Sequence, residues 1–388
     1  MDGSPREDDG VSDEVLTLRA LNRATLARQL LLQREERDEW SVVDVVSHLV
    51  GMQAQLPLDP YTGLWSRLAG FAPDDLARPL VERELVRIVL MRGTIHLVTA
   101  DDALEIRPLV QPILDREMRM HGQHKEALAA TDARPIVAAM RKVLTERPLN
   151  GPALRSAIAA RFPDVDAAAM ALACRNHLAL VQVPPRGVWG KSLGVTVTTA
   201  ESWLGRPQAV SPSIDALILR YLGAFGPATV ADAAAWSGLT GMREVVERLR
   251  PKLRTFRNER GQELFDLPDA PRPDPSVPAP VRFLPTYDNV LLSHADRSRF
   301  VDDAERRAHS STTSTVLGAV LHDGRMVGTW SIERDPEAGR ATVLVDQMGS
   351  LTKRGESSIT AEGRRLLAFH APDLPVHDIR FTSPASGS

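Results

Sequence analysis

Apolar residues recur at helical spacing along most of this chain, and short alternating runs interrupt the helices at intervals. Leu18, Leu21, Leu26, Leu30 and Leu31 fall on one face of a helix predicted over residues 15–34. A second helix is predicted from Ser41, a favourable N-cap, with Val42, Val45, Val46, Leu49 and Met52 on its apolar face. It should stop near Leu56, because Pro57 disfavours helical geometry in the residue before it. Further helices are predicted around 61–68 and 73–84, and VLMRGTIHLV over 89–98 reads as two strands folded at Arg92-Gly93. Helices followed by a small β element are the order of a winged helix.

The same order recurs. Helices over 134–146, 151–161 and 166–179 precede LVQVPPRGVWGKSLGVTVTT (180–199), which reads as two strands joined by a basic wing. A third copy has helices over 214–225, 230–238 (with Thr229 before it) and 241–250, then strands over 253–256 and 263–267. PDAPRPDPSVPAP (268–280) is a Pro-rich linker. Beyond it strands are expected over 316–321, 326–332 and 341–347, the first two joined by an Asp-Gly turn, then a helix over 361–369 and a strand over 376–381. The fold class is therefore mainly α with small β elements (α+β): three tandem winged-helix units and a C-terminal β-barrel-like module. Boundaries are expected as an acidic tail (1–14), winged-helix units at 15–132, 133–209 and 210–270, and a β-rich module at 271–388.

At 388 residues the chain has room for roughly two to four domains. Its net charge of −3 argues against a nucleic-acid partner, but Arg6 against six acidic residues gives positions 1–14 a charge of −5, leaving +2 on the rest. Positive charge gathers from Arg248 to Arg260, where Arg248, Arg250, Lys252, Arg254, Arg257 and Arg260 face only Glu259. That run lies on the last helix and wing of the third unit, the parts that meet a groove and the phosphates in a winged helix. The alternative is an ordinary solvated charge run. The lone Cys174 allows neither an intramolecular disulfide nor a thiolate metal cluster. HExxH, Walker and CxxC motifs are absent, so metalloprotease, P-loop and zinc-ribbon readings lack support. With no signal peptide and no run of roughly 18 apolar residues, a monomer in the cytoplasm, on the nucleoid, is expected.

GMQAQLPLDPYTGLWSRL (51–68), MRGTIHLV (91–98), GPATVADAAAWSGL (226–239), FLPTYDNVLLSHADRSRF (283–300) and HDGRMVGTW (322–330) together resemble the tandem winged-helix DNA glycosylases typified by AlkZ. The resemblance implies a monofunctional DNA glycosylase without metal or cofactor, acting on double-stranded DNA. Its motif of two glutamines around an apolar residue, here Gln53, Ala54 and Gln55, implies the branch that unhooks interstrand crosslinks at N7-alkylated purines. Residues two apart on a regular helix point about 200° apart, so the helix is expected to end here, with Pro57 and Pro60 turning both amides to one groove. The resemblance also implies a hairpin that enters the minor groove, with Arg307 and His309 as contacts. Arg250, Lys252, Arg254 and Arg257 are the further DNA-binding candidates. His96, inside an apolar strand, reads as a structural histidine. A winged-helix transcriptional regulator without chemistry is the alternative function.

Overall fold

The computed structural model describes residues 14–191, 194–302, 304, 307 and 317–382. Of the acidic tail it therefore includes only Glu14, and His309 lies outside it. The chain begins with β1 (Val15–Leu16), α1 (Leu18–Arg28), α2 (Val42–His48), β2 (Met52–Gln53), α3 (Asp59–Trp65), α4 (Pro73–Val81), β3 (Leu85–Val89) and β4 (Ile95–Thr99). Three helices, α5 (Ala100–Leu109), α6 (Gln111–Met120) and α7 (Lys125–Ala130), lead to α8 (Arg134–Glu146), β5 (Leu149–Asn150), α9 (Gly151–Arg161), α10 (Ala167–His177), β6 (Leu180–Gln182), β7 (Thr196–Thr199) and α11 (Ala200–Leu204). Then come α12 (Ile214–Phe225), α13 (Val230–Ser237), α14 (Met242–Leu249), β8 (Arg254–Asn258) and β9 (Glu263–Asp266). The C-terminal part has β10 (Arg282–Leu284), β11 (Gly318–His322), β12 (Arg325–Asp335), β13 (Arg340–Gln347), α15 (Lys353–His370) and β14 (Val376–Thr382). Among the described residues no helix is long and apolar enough to cross a membrane.

The predicted repeat has a structural counterpart. A six-stranded sheet runs in the order β2-β4-β3-β6-β7-β5, which is one three-stranded pattern and then its mirror, joined where β3 and β6 pair antiparallel. The sheet crosses the boundary expected at 132/133. In the third copy an isolated bridge between Ala228 and Phe265 takes the place of the short first strand, beside β9 and β8. Helices after these short strands start on side-chain caps: Asn150 accepts from Ala153 N, and Thr229 and Asp232 form a reciprocal capping box.

Two helices end earlier than their apolar spacing suggests. The first stops at Arg28, where Leu30 takes a φ of 56°. The second, capped by Ser41 as expected, stops at His48 rather than near Leu56, because Val50 (φ 54°) and Gly51 (φ 88°) turn the chain back into β2. At Gly51 a Cβ would lie 2.5 Å from Val98 Cγ1, so both the turn and the packing against β4 require glycine.

The units are tied together by buried arginines. Arg28 of α1 meets Asp266 of β9 with two bonds of 2.6 and 2.8 Å, both side chains fully buried, and donates to Leu222 O of α12. β1 pairs parallel with β8, extending the third unit's hairpin. In the C-terminal part β10-β11-β12-β13-β14 pair in a line as an open sheet, with α15 packed against β10, β13 and β14. The C-terminal module, expected to be β-rich and barrel-like, is thus an open sheet with a helix packed against it.

Candidate functional site

The two glutamines sit on extended chain, not at a fraying helix end. β2 pairs antiparallel with β4, placing Gln53 opposite His96, and Ala54 N donates to Ile95 O before the chain bends at Gln55. Both amides are anchored to one feature, the β3–β4 hairpin, Gln53 at its turn and Gln55 at the first residue of β4. Gln53 is only 8% exposed, and its Oε1 accepts from Arg92 Nη2 at 2.8 Å. Gln55 is exposed, and its Oε1 accepts from Ile95 N at 3.3 Å. Since a guanidinium and a peptide N–H only donate, these contacts fix which end of each amide carries the oxygen. A carbonyl oxygen has two lone pairs, so each retains one for a further donor.

Arg92 is the residue that the sequence reading missed. The sequence marks it only as a turn residue, and it does hold a positive φ of 58° beside Gly93. From there its guanidinium also donates to Asn289 Oδ1 (3.1 Å) and to Trp236 O (2.5 Å), joining β2, α13 and the segment before β11. Burial and the nearby Arg297 lower its pKa to about 10, which leaves it cationic at neutral pH. Asn289 in turn donates to Gly51 O at 3.2 Å, and Asp288 accepts two bonds from the buried Arg67, in the connection between α3 and α4, at 2.9 and 3.0 Å. His96 is fully buried, shares a contact of 3.0 Å with Thr94 O through Nδ1, and is held neutral by burial and by Arg92, its pKa down to about 3.

Beneath the motif lie two charged groups that the sequence reading did not single out. Arg87 of β3 is buried and donates to Ala54 O at 2.6 Å, the carbonyl between the glutamines. Asp59, at the start of α3, has its carboxyl raised to about 7 by burial first and then by Asp288, against the pull of Arg87. The two amides do not share the one groove expected for them: Gln53 faces a narrow space shared with Gly51, Pro60, Arg67 and Asn289, whereas Gln55 forms part of the wall of a separate cleft of about 460 Å³ toward α9 and α10. Among the described residues no group of three or more His, Cys, Asp or Glu side chains is placed to hold a metal ion.

The sequence profile of the family described as "DNA glycosylase AlkZ-like" matches residues 46–369, from α2 to α15. The chain belongs to the AlkZ-like DNA glycosylases. It is an enzyme of the class that hydrolyses N-glycosyl bonds in DNA, and the regulator alternative falls away. An "Interstrand DNA cross-link repair glycosylase" of Streptomyces sahachiroi is 28% identical over 335 residues, covering 79% of this chain and 85% of that protein. The solved structure of "Streptomyces sahachiroi DNA glycosylase AlkZ" shares the fold with a TM-score of 0.76 at 20% identity, covering 95% of this chain and all of that one.

In this AlkZ-like chain the basic run is largely matched to carboxylates. Arg248 pairs with Asp215 (2.5 Å), Arg250 with Glu247 (2.7 Å) and Glu263 (2.8 Å), Arg254 with Glu14 (2.7 Å) and Arg260 with Asp296 (2.9 Å). The two carboxylates hold the Arg250 guanidinium far above its ordinary pKa. Arg257 donates to Gly261 O at 3.0 Å across its own hairpin, and Lys252 is exposed with no carboxylate within 4 Å among the described residues. Arg307 is exposed. None of these candidates is part of the glutamine site.

Proposed function

We propose that this glycosylase cuts the N-glycosidic bond of bulky N7-alkylated purines in double-stranded DNA and unhooks interstrand crosslinks, as self-resistance to a genotoxic natural product. The observation that carries the reading is the anchoring of two uncharged amides, Gln53 and Gln55, to a single hairpin with their oxygens oriented by fixed donors. The naming of the Streptomyces relative supports the crosslink part.

Alkylation at N7 makes the purine cationic, so it departs as a neutral base without an acid. Water oxygen bonds to C1′, the C1′–N9 pair moves into the purine and cancels its charge, and the water proton passes to solvent. The protein has to place that water and tolerate positive charge growing on the sugar, tasks for positioned dipoles rather than a strong base. The remaining lone pair of one amide oxygen, on Gln53 or on Gln55, accepts from the water, and the other amide's dipole faces the sugar. Arg92 and Arg87 act as positioning residues, the first through the Gln53 oxygen and the second through Ala54 O.

On this reading the three helix-and-hairpin units are winged helices that hold the duplex, and the enzyme acts as a monomer. Lys252 and Arg257 meet phosphates directly, while Arg250 and Arg254 exchange a carboxylate for a phosphate. Arg307 and His309 enter the minor groove by the lesion. The test uses a duplex with one N7-methylguanine and a second with an N7 crosslink, each treated with hot alkali after incubation. Wild type should give strand breaks in both, and a Gln53→Ala, Gln55→Ala double variant should stay at background. Equal strand breaks from the two proteins would end the reading.

A further inference from the structure

Gln55 faces a cleft that the water-positioning reading does not use. The cleft lies between the sheet, at β4, β6 and β7, and the helices α9 and α10, with a volume of about 460 Å³. Resting on the glycosylase reading, we propose that it is a subsite for the non-purine body of an N7 adduct. The favoured occupant is a flat apolar group that carries hydrogen-bonding substituents at its edge.

Size and position come first. Pockets that enclose drug-sized ligands span about 300–1,000 Å³, so this one suits a polycyclic substituent, and a methyl group would leave it empty. Leu172, Leu178 and Val197 give it apolar walls, and Ala171 on α10 keeps it open. Because Gln55 is itself a wall, a substituent in the cleft stays next to the proposed water site.

Polar atoms without partners supply the second argument. Gln182 of β6 lines the cleft, and its buried Oε1 has no hydrogen-bond partner among the described residues. Opposite it in the register stands Arg87, whose buried Nε and Nη1 also lack partners. Buried polar atoms are paired in the great majority of cases, so an acceptor left open in a pocket wall marks a place for a donor on the occupant. At the rim, Arg155 has neither an ion pair nor a hydrogen bond among the described residues and can meet an oxygen of the ligand, while Arg175 is already held by Glu117 at 2.6 Å. Arg107, which also lines the cleft, is held by Gln111 and Asn176 O as Arg175 is by Glu117, so most of the lining guanidinium donors are already engaged and the apolar walls fit an aromatic body better than a run of phosphates.

The test measures binding apart from cleavage. Duplexes carry a 2′-fluorinated guanine with either methyl or naphthylmethyl at N7, a sugar change that slows loss of the base. Wild type should bind the naphthylmethyl duplex about tenfold more tightly than the methyl one. Ala171→Trp fills the cleft and should bring that ratio to about one, with binding of the methyl duplex unchanged. Val195→Trp serves the same purpose at a rim position that is 38% exposed, where a large residue leaves the core intact. A wild-type ratio near one, retention of the ratio in both tryptophan variants, or equal weakening of both duplexes would overturn the subsite. The unfluorinated duplexes report base release in parallel: its absence would end the glycosylase reading alone, and the binding ratio would still decide the subsite.

Discussion

Around Gln53 a single guanidinium, that of Arg92, serves acceptors from three separate segments; between Arg248 and Arg260 the chain has six basic side chains, four of them matched to carboxylates. The first region is sparse in charge and dense in fixed polar contacts. The second is dense in charge, with most of it already answered from Glu14, Asp215, Glu263 and Asp296. A count of like charges in a window of sequence therefore says little about the charge a fold leaves free. A single arginine in a turn orients the Gln53 amide and joins three segments.

The contrast breaks most sharply at Arg92. Arg92→Met leaves Gln53 Oε1, Asn289 Oδ1 and Trp236 O without their donor, which should destabilise the fold by about 3 kcal/mol and slow base release by about 100-fold. Denaturant titration and single-turnover excision measure the two effects. Arg92→Lys, which can serve fewer acceptors, should fall between. An excision rate within twofold of wild type in Arg92→Met would remove the arginine from the site's geometry.

Much of the architecture could be read from spacing and caps. The helices over 134–146, 151–161 and 214–225 end where the sequence places them, and Ser41 and Thr229 cap as expected. What escaped was decided by distant contacts. Val50 takes a positive φ that valine seldom adopts, and the strand it leads into exists because residue 53 pairs with residue 96. Local periodicity therefore ran the helix on to Leu56. Gln53 and Gln55 were legible as a motif only through the family resemblance. Arg92 was hidden because its acceptors lie as far away as residues 236 and 289, though an arginine beside glycine in the quoted MRGTIHLV stretch was the available signal.

A smaller effect comes from pH. His96 and His294 are held neutral by burial, with pKa values down to about 3, so in the unfolded chain they take up protons first. Their contribution is present above the ordinary histidine pKa of about 6.5 and is lost as pH falls toward 3, costing roughly 2 kcal/mol for each at pH 5. Denaturant midpoints recorded between pH 7 and 5 should fall accordingly, and His96→Gln should flatten the slope. A midpoint constant across that range would show that these imidazoles are not held neutral.

The basic run should give the smallest effects. Exposed ion pairs are worth about 0–1 kcal/mol, so Arg250→Ala and Arg254→Ala should each weaken duplex binding by about threefold or less. Lys252→Ala and Arg257→Ala, at residues without a carboxylate partner among the described residues, should each cost about tenfold and reduce the salt slope by about one. Fluorescence anisotropy at several salt concentrations distinguishes the two pairs, and the reverse ranking would mean that the ion pairs open readily to phosphate.

The account turns on neutral amides doing the chemistry while a carboxyl with a pKa of about 7, Asp59, interacts with the Arg87 that holds Ala54 O. The direct measurement is the single-turnover rate of N7-methylguanine release from pH 5.5 to 8.5. Amide catalysis predicts a flat profile, the same in wild type and Asp59→Asn. A rate that rises through a midpoint near 7 and loses that rise in Asp59→Asn would make the carboxylate the base and contradict the account.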